Sequence, residues 1–199
     1  MKTSIFTILA IVALAVGSTN SSFASVKNEN KEVSTVLTNI SQISKIEVHG
    51  NVELYISDGN TDQVKVYNQY YAESALVQSQ NGVLRISSYK AEKLVVWVTA
   101  NDLRAISAYD NAAVKSFGSL SKIDLDVNLY DNATATLNLE AYRATLTVNN
   151  SAKATLTGSV TEYSLTYADS AKVINDNFIT VNESKIQVSA AGKRDIAGL

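Results

Sequence analysis

The chain has no cysteine and no proline, and a single histidine, His49, among its 199 residues. Without cysteine there is no disulfide, no thiol catalysis, no thiolate metal site and no anchor on a lipidated cysteine. One histidine excludes any metal centre or proton shuttle built from several. His49 also lies in an alternating stretch with no nucleophile motif near it, so a Ser-His-Asp arrangement has no support. The absence of proline leaves every backbone N–H free to join a strand ladder. A predominance of one charge is missing as well. Lys and Arg number 17 and Asp and Glu 19, for a formal net charge of −2. No block of like charge exists in the linear sequence, so nothing there steers the chain to nucleic acid or anionic lipid. Nothing calls for a cofactor.

Long apolar runs are also scarce. The one clear example, Ile5 to Val16 interrupted only by Thr7, follows Lys2 and precedes Ser22-Phe23-Ala24. This is the pattern of a secretory signal, too short to remain as a membrane span, with cleavage expected after Ala24. Residues 1–24 are therefore read as a signal peptide, 25–42 as a flexible leader, 43–190 as one domain and 191–199 as a fraying tail. Export places the chain in the periplasm or at the cell surface. An exported chain without disulfides must be held by its core, and residues 25–199 suffice to form one.

What is present is β-structure. Ile46-Glu47-Val48, Val52-Glu53-Leu54-Tyr55-Ile56, Val64-Lys65-Val66, Val83-Leu84-Arg85-Ile86 and Leu94-Val95-Val96-Trp97-Val98 alternate or nearly so, as strands do. Asp58-Gly59-Asn60 and Asn81-Gly82 are turn signals, and Asn-Gly between alternating runs closes a tight hairpin. A helical turn is plausible only around Tyr70 to Ala75. Trp97, in a near-continuous apolar run, reads as core.

From residue 110 a motif recurs at a spacing of about 20 residues: Asp110-Asn111-Ala112, Asp131-Asn132-Ala133, Asn150-Ser151-Ala152 and Asp169-Ser170-Ala171. The flanks align too. Ile106, Val127, Leu146 and Leu165 share an apolar column, as do Val114, Ala135, Ala154 and Val173, with polar residues between. Such a period is the mark of stacked coils, so the expected fold is a parallel β-helix solenoid with ~20-residue coils, with antiparallel hairpins in its N-terminal part. The Asp/Asn pair falls where strand parity breaks, at a corner.

The corner ladder Asp110, Asp131, Asn150 and Asp169 has a structural reading and two chemical ones. Asp and Asn bond nearby backbone and accept left-handed turns, which suits a corner. A row of oxygen ligands for Ca²⁺ is the first chemical alternative, although one carboxylate per coil is thin for an ion that takes six to eight oxygens. The second is a polysaccharide lyase or hydrolase that uses the Asp corner with Lys153 and Lys172 nearby. Beside the corner, Tyr109 and Tyr130 share an outward column, continued by Asn149 and Ala168. Stacked exposed rings suit a sugar face, with Asn128, Asp131 and Thr147 offering hydrogen bonds; cross-strand packing of aromatics is the structural alternative.

Three stretches carry a resemblance: Ile46 to Leu54, Asn81 to Ile86, and the Asp-Asn-Ala repeats from Tyr109 onward. Over residues 43–190 the chain resembles the head GIN domain family of Bacteroidota-type bacteria, a former domain of unknown function labelled "putative auto-transporter adhesin". It departs from the name-giving Gly-Ile-Asn at one turn, where Gly50 is followed by Asn51 and Val52. The resemblance implies a right-handed single-stranded parallel β-helix displayed on the envelope, with no catalytic residues to carry over. It further implies an O-glycosylation acceptor at Ser170 within Asp169-Ser170-Ala171. Residues and resemblance together point to a non-enzymatic envelope protein that recognises a glycan or another envelope protein, or else serves as a structural rod.

Overall fold

The computed structural model describes residues 34–37, 40, 42–67 and 75–189. The chain divides into two compact units, Met1–Lys31 and Glu32–Leu199, and only the second falls within the described residues. The expected signal peptide, most of the leader, the helical turn before Ala75 and the C-terminal tail lie outside them.

Thirteen strands follow one another: β1 (Ser34–Leu37), β2 (Lys45–Gly50), β3 (Val52–Asp58), β4 (Gln63–Tyr67), β5 (Ala75–Gln80), β6 (Val83–Ser88), β7 (Leu94–Ala100), β8 (Ala105–Ala108), β9 (Ala113–Ser116), β10 (Leu120–Leu129), β11 (Thr134–Val148), β12 (Lys153–Ala168) and β13 (Lys172–Val188). They join in one sheet in the order β1-β4-β7-β3-β9-β11-β10-β8-β2-β6-β5, with β12 on β11 and β13 on β12. Alternation decides which side faces in. Along β2 the side chains of Ile46 and Val48 are buried while Lys45, Glu47 and His49 are half-buried, and β3 and β7 repeat the pattern. The apolar sides of the curled sheet close over one core, which runs from Ile43 to Leu165.

The architecture corrects the expected right-handed single-stranded parallel β-helix. The sheet is mixed and strongly curled, a half-barrel rather than a solenoid of separate coils. β1 and β4, β4 and β7, and β5 and β6 pair antiparallel. Two physical causes stand behind the difference. First, reversals in the N-terminal part return the chain against its neighbours. Asn81 and Gly82, at φ 50° and 78°, close the β5–β6 hairpin, as their sequence requires. Second, β11, β12 and β13 run for 15, 16 and 17 residues, so the sheet turns by strand curvature where a solenoid would break at a corner. The near-20-residue register is real but local: β8, β10, β11, β12 and β13 pair in parallel, with Val127 opposite Leu146 and Leu146 opposite Leu165.

Two smaller expectations also change. Ser34–Leu37, inside the stretch read as a flexible leader, forms β1 against β4, and Leu37 and Ile40 pack on the core. Trp97 alternates outward between the buried Val96 and Val98, so it stands half-buried on the outer face.

Candidate functional site: the corner and its ring column

Each corner is a four-residue turn. Ala112 N–H donates to Tyr109 C=O at 3.1 Å, and Ala133 to Tyr130, Ala152 to Asn149 and Ala171 to Ala168 repeat the bond at 3.0 to 3.2 Å. The first central residue is left-handed at Asp110 (φ 58°), Asp131 (φ 57°) and Asn150 (φ 55°), a conformation Asp and Asn tolerate better than most residues. Gly50 (φ 80°) holds the equivalent place in the previous row, where a Cβ would lie 2.1 Å from the Ser88 carbonyl oxygen. Only glycine fits there.

The ladder's side chains are engaged in holding these turns. Asp110 Oδ2 accepts from Gly50 N–H at 2.9 Å, and Asp131 Oδ2 accepts from Asp110 N–H at 3.2 Å. Asp131 Oδ1 accepts from Asn150 Nδ2 at 2.9 Å. Asp169 accepts from Gln187 Nε2 at 2.9 Å, and the exposed Ser170 hydroxyl donates to the Asn150 carbonyl at 2.5 Å. Among the described residues no three His, Cys, Asp or Glu side chains converge as a metal site. Lys153 and Lys172 stand outward as neighbours on β12 and β13. Asp131, expected as a ligand contact, therefore has both oxygens committed to the corner.

Just before the corner the outward column is aromatic. His49 and Tyr109 stack with ring centroids 4.3 Å apart and planes 1° apart, and Tyr109 and Tyr130 stack at 4.8 Å and 4°. Three rings thus lie face to face across three adjacent strand ends, close to the strand spacing of about 4.8 Å. Beyond Tyr130 the column continues with Asn149 and Ala168, so among the described residues no ring covers the second face of Tyr130. Asn128 and Thr147 are cross-strand neighbours two residues upstream on the same face, both half-buried. The structure thus gathers Tyr109, Tyr130, Asn128 and Thr147, and turns Asp131 toward the turn. His49 escaped the sequence reading. Its signal was the alignment of His49-Gly50 with Tyr109-Asp110, obscured because glycine replaces Asp at that corner.

Upstream on the same face, Glu47 is bridged by Lys45 at 2.8 Å and Arg85 at 2.9 Å. The Lys45 ammonium is the main cause holding the Glu47 carboxyl below its usual range, against the opposing effect of burial.

Known proteins bear on this arrangement. Residues 42–197 match the model of the family described as "Putative auto-transporter adhesin, head GIN domain", and the chain belongs to that family. Among solved structures, a putative adhesin from Bacteroides fragilis superposes with a TM-score of 0.68 at 15% identity, covering 79% of this chain and 77% of its own. A putative adhesin from Parabacteroides merdae gives 0.62 at 14%, covering 79% and 78%. A protein from Parabacteroides distasonis named a putative lipid binding protein gives 0.57 at 10%, covering 78% of each chain. At such identities the likeness concerns the fold alone. No curated protein matches the chain.

Proposed function

We propose that the chain is an exported, non-enzymatic recognition protein of the cell envelope that binds a glycan at the end of its ring column. The observation that carries this reading is the stack His49–Tyr109–Tyr130, which ends at Tyr130 where the short side chain of Asn149 takes the next place in the column. A sugar ring resting over the short Asn149 side chain meets the outward part of Tyr130 with its C–H face. Asn128 and Thr147 then meet its hydroxyl groups, the pairing of an apolar platform with a few placed polar groups that ligand sites share. The two rings beneath hold Tyr130 in place, so little side-chain entropy is lost on binding. The family's adhesin description agrees with such a role.

A glycan array probed with the wild-type chain and with Tyr130→Ala tests the proposal. A defined set of oligosaccharides retained by the wild type, with at least a tenfold loss in Tyr130→Ala, is the expected result. Retention of the same set by the variant, or a blank array alongside a protein captured by cross-linking in the native envelope, would assign the column to packing and the partner to another class.

A further inference from the structure

Across the corner from the ring column, the outer face of the sheet collects charge that the linear sequence scatters. The outward neighbours in one row are Lys65, Trp97, Tyr55 and Lys115, on β4, β7, β3 and β9. The adjacent row runs through Glu53, Ala113, Thr134, Lys153 and Lys172, on β3, β9, β11, β12 and β13. Lys93 stands 3.7 Å from Glu53. Glu53 is the only carboxylate in these rows, and it is engaged by Lys115 at 2.5 Å and by the Tyr55 hydroxyl at 2.9 Å. Lys65, Lys153 and Lys172 form no ion pair among the described residues. In a chain of net charge −2, this face is cationic.

The same face is aromatic. Trp97 stacks on Tyr55 at 4.8 Å, meets Tyr67 edge-on at 6.5 Å and meets Phe117 at 5.1 Å. Lys115 Nζ lies 5.5 Å from the Tyr55 ring centre. Phe117, just past the end of β9, is 62% exposed, so a large ring is left open two residues beyond Lys115. From β7 to β13 the stripe crosses five strand spacings, about 24 Å.

We propose that this face binds an acidic polysaccharide, a chain of uronate-type sugars lying across the strands. Such a polymer carries one carboxylate per sugar and presents apolar C–H faces between them. The lysine rows meet the first and the Phe117–Trp97 ridge the second. Nucleic acid fits less well. A duplex carries one charge about every 1.7 Å of its axis, more than these few lysines match, and it keeps its apolar base faces stacked inside. This surface is separate from the ring column, and its ligand is anionic where the column's requirement is only a sugar face.

Calorimetric titration of the full chain with polygalacturonate, dextran, single-stranded DNA and phosphatidylglycerol vesicles tests the proposal. With the ring column removed by Tyr130→Ala, polygalacturonate is expected to bind and dextran not to. The paired change Lys153→Glu with Lys172→Glu, at exposed positions, should weaken binding at least tenfold, and Phe117→Ala at least threefold. Tyr130→Ala should leave it unchanged, which separates this site from the column. Added salt should weaken binding without abolishing it, because the ring contact is not screened. Absence of polygalacturonate binding, indifference to the paired lysine change, or equal affinity for DNA or vesicles would each overturn the assignment.

Discussion

Asp131 holds two turns at once. One oxygen accepts from the Asp110 amide of the preceding corner and the other from the Asn150 side chain of the following one, while its own backbone is left-handed. Asp131→Ala removes both acceptors and leaves a side chain that tolerates this φ poorly, so it should cost about 2–3 kcal/mol. Asp131→Asn keeps an acceptor and the conformational tolerance and should cost about 1 kcal/mol. Urea denaturation distinguishes the two, and equal losses would contradict the account. Tyr163 presents the opposite case. Its hydroxyl is buried with no partner among the described residues, and burial pushes its pKa up. Tyr163→Phe should therefore leave stability unchanged or raise it by up to about 1 kcal/mol in the same assay. A clear loss would reveal a partner for the hydroxyl. The corner residues were legible in the sequence because Asp and Asn mark left-handed turns wherever they recur. His49 was not, because a single histidine beside a glycine carries no repeat of its own.

At the scale of strands, β3 and β9 are tied on their outer face by Glu53 and Lys115. The Lys115 ammonium, hydrogen-bonded to the carboxylate, is the chief cause holding the Glu53 carboxyl below its ordinary value of 4.5, with burial opposing and Tyr55 and Lys93 assisting. A carboxyl with a depressed folded-state pKa binds fewer protons folded than unfolded, so stability rises with pH through that window. Its contribution is complete above about pH 4.5 and is lost as pH falls through the folded value. Glu53→Gln should lower the melting temperature at pH 7 and flatten its decline between pH 4.5 and 3. Parallel melting curves for the two proteins would contradict this. The last strand shows why register is harder to read than pattern. The 19-residue spacing of the last two motifs would set Ile179 opposite Val160, but the pairing slips between Thr155 and Thr157 and sets Thr180 there. One residue of slip changes the face of every side chain, and Ile179 and Val181 emerge 70% and 74% exposed. Columns free of such a slip, such as Val114, Ala135, Ala154 and Val173, pair as the sequence aligns them.

For the whole molecule, the all-β character and the parallel repeats were readable because period-two alternation and a period near 20 residues are both local signals. The curl of the sheet was not, since it depends on β7 entering between β3 and β4 and on long strands that bend without a break. The basic face was legible only in part: the repeat sets Lys153 and Lys172 together near the corner, but not the rest of the face. Lys65 and Trp97 lie far from the repeats in sequence and join Lys115, Lys153 and Lys172 only across strand pairings. The result is a mixed, curled sheet over an apolar core, with two chemically distinct outer surfaces either side of one corner: a column of stacked rings and a lysine-rich aromatic face. Recognition at the column without turnover is the central claim. Saturation-transfer difference NMR on an oligosaccharide retained by the wild-type chain tests it most directly. The account predicts strong transfer to the C–H protons of one sugar face, loss of that transfer in Tyr130→Ala, and an oligosaccharide unaltered after prolonged incubation. Undiminished transfer in Tyr130→Ala, or cleavage products from the wild type, would contradict it.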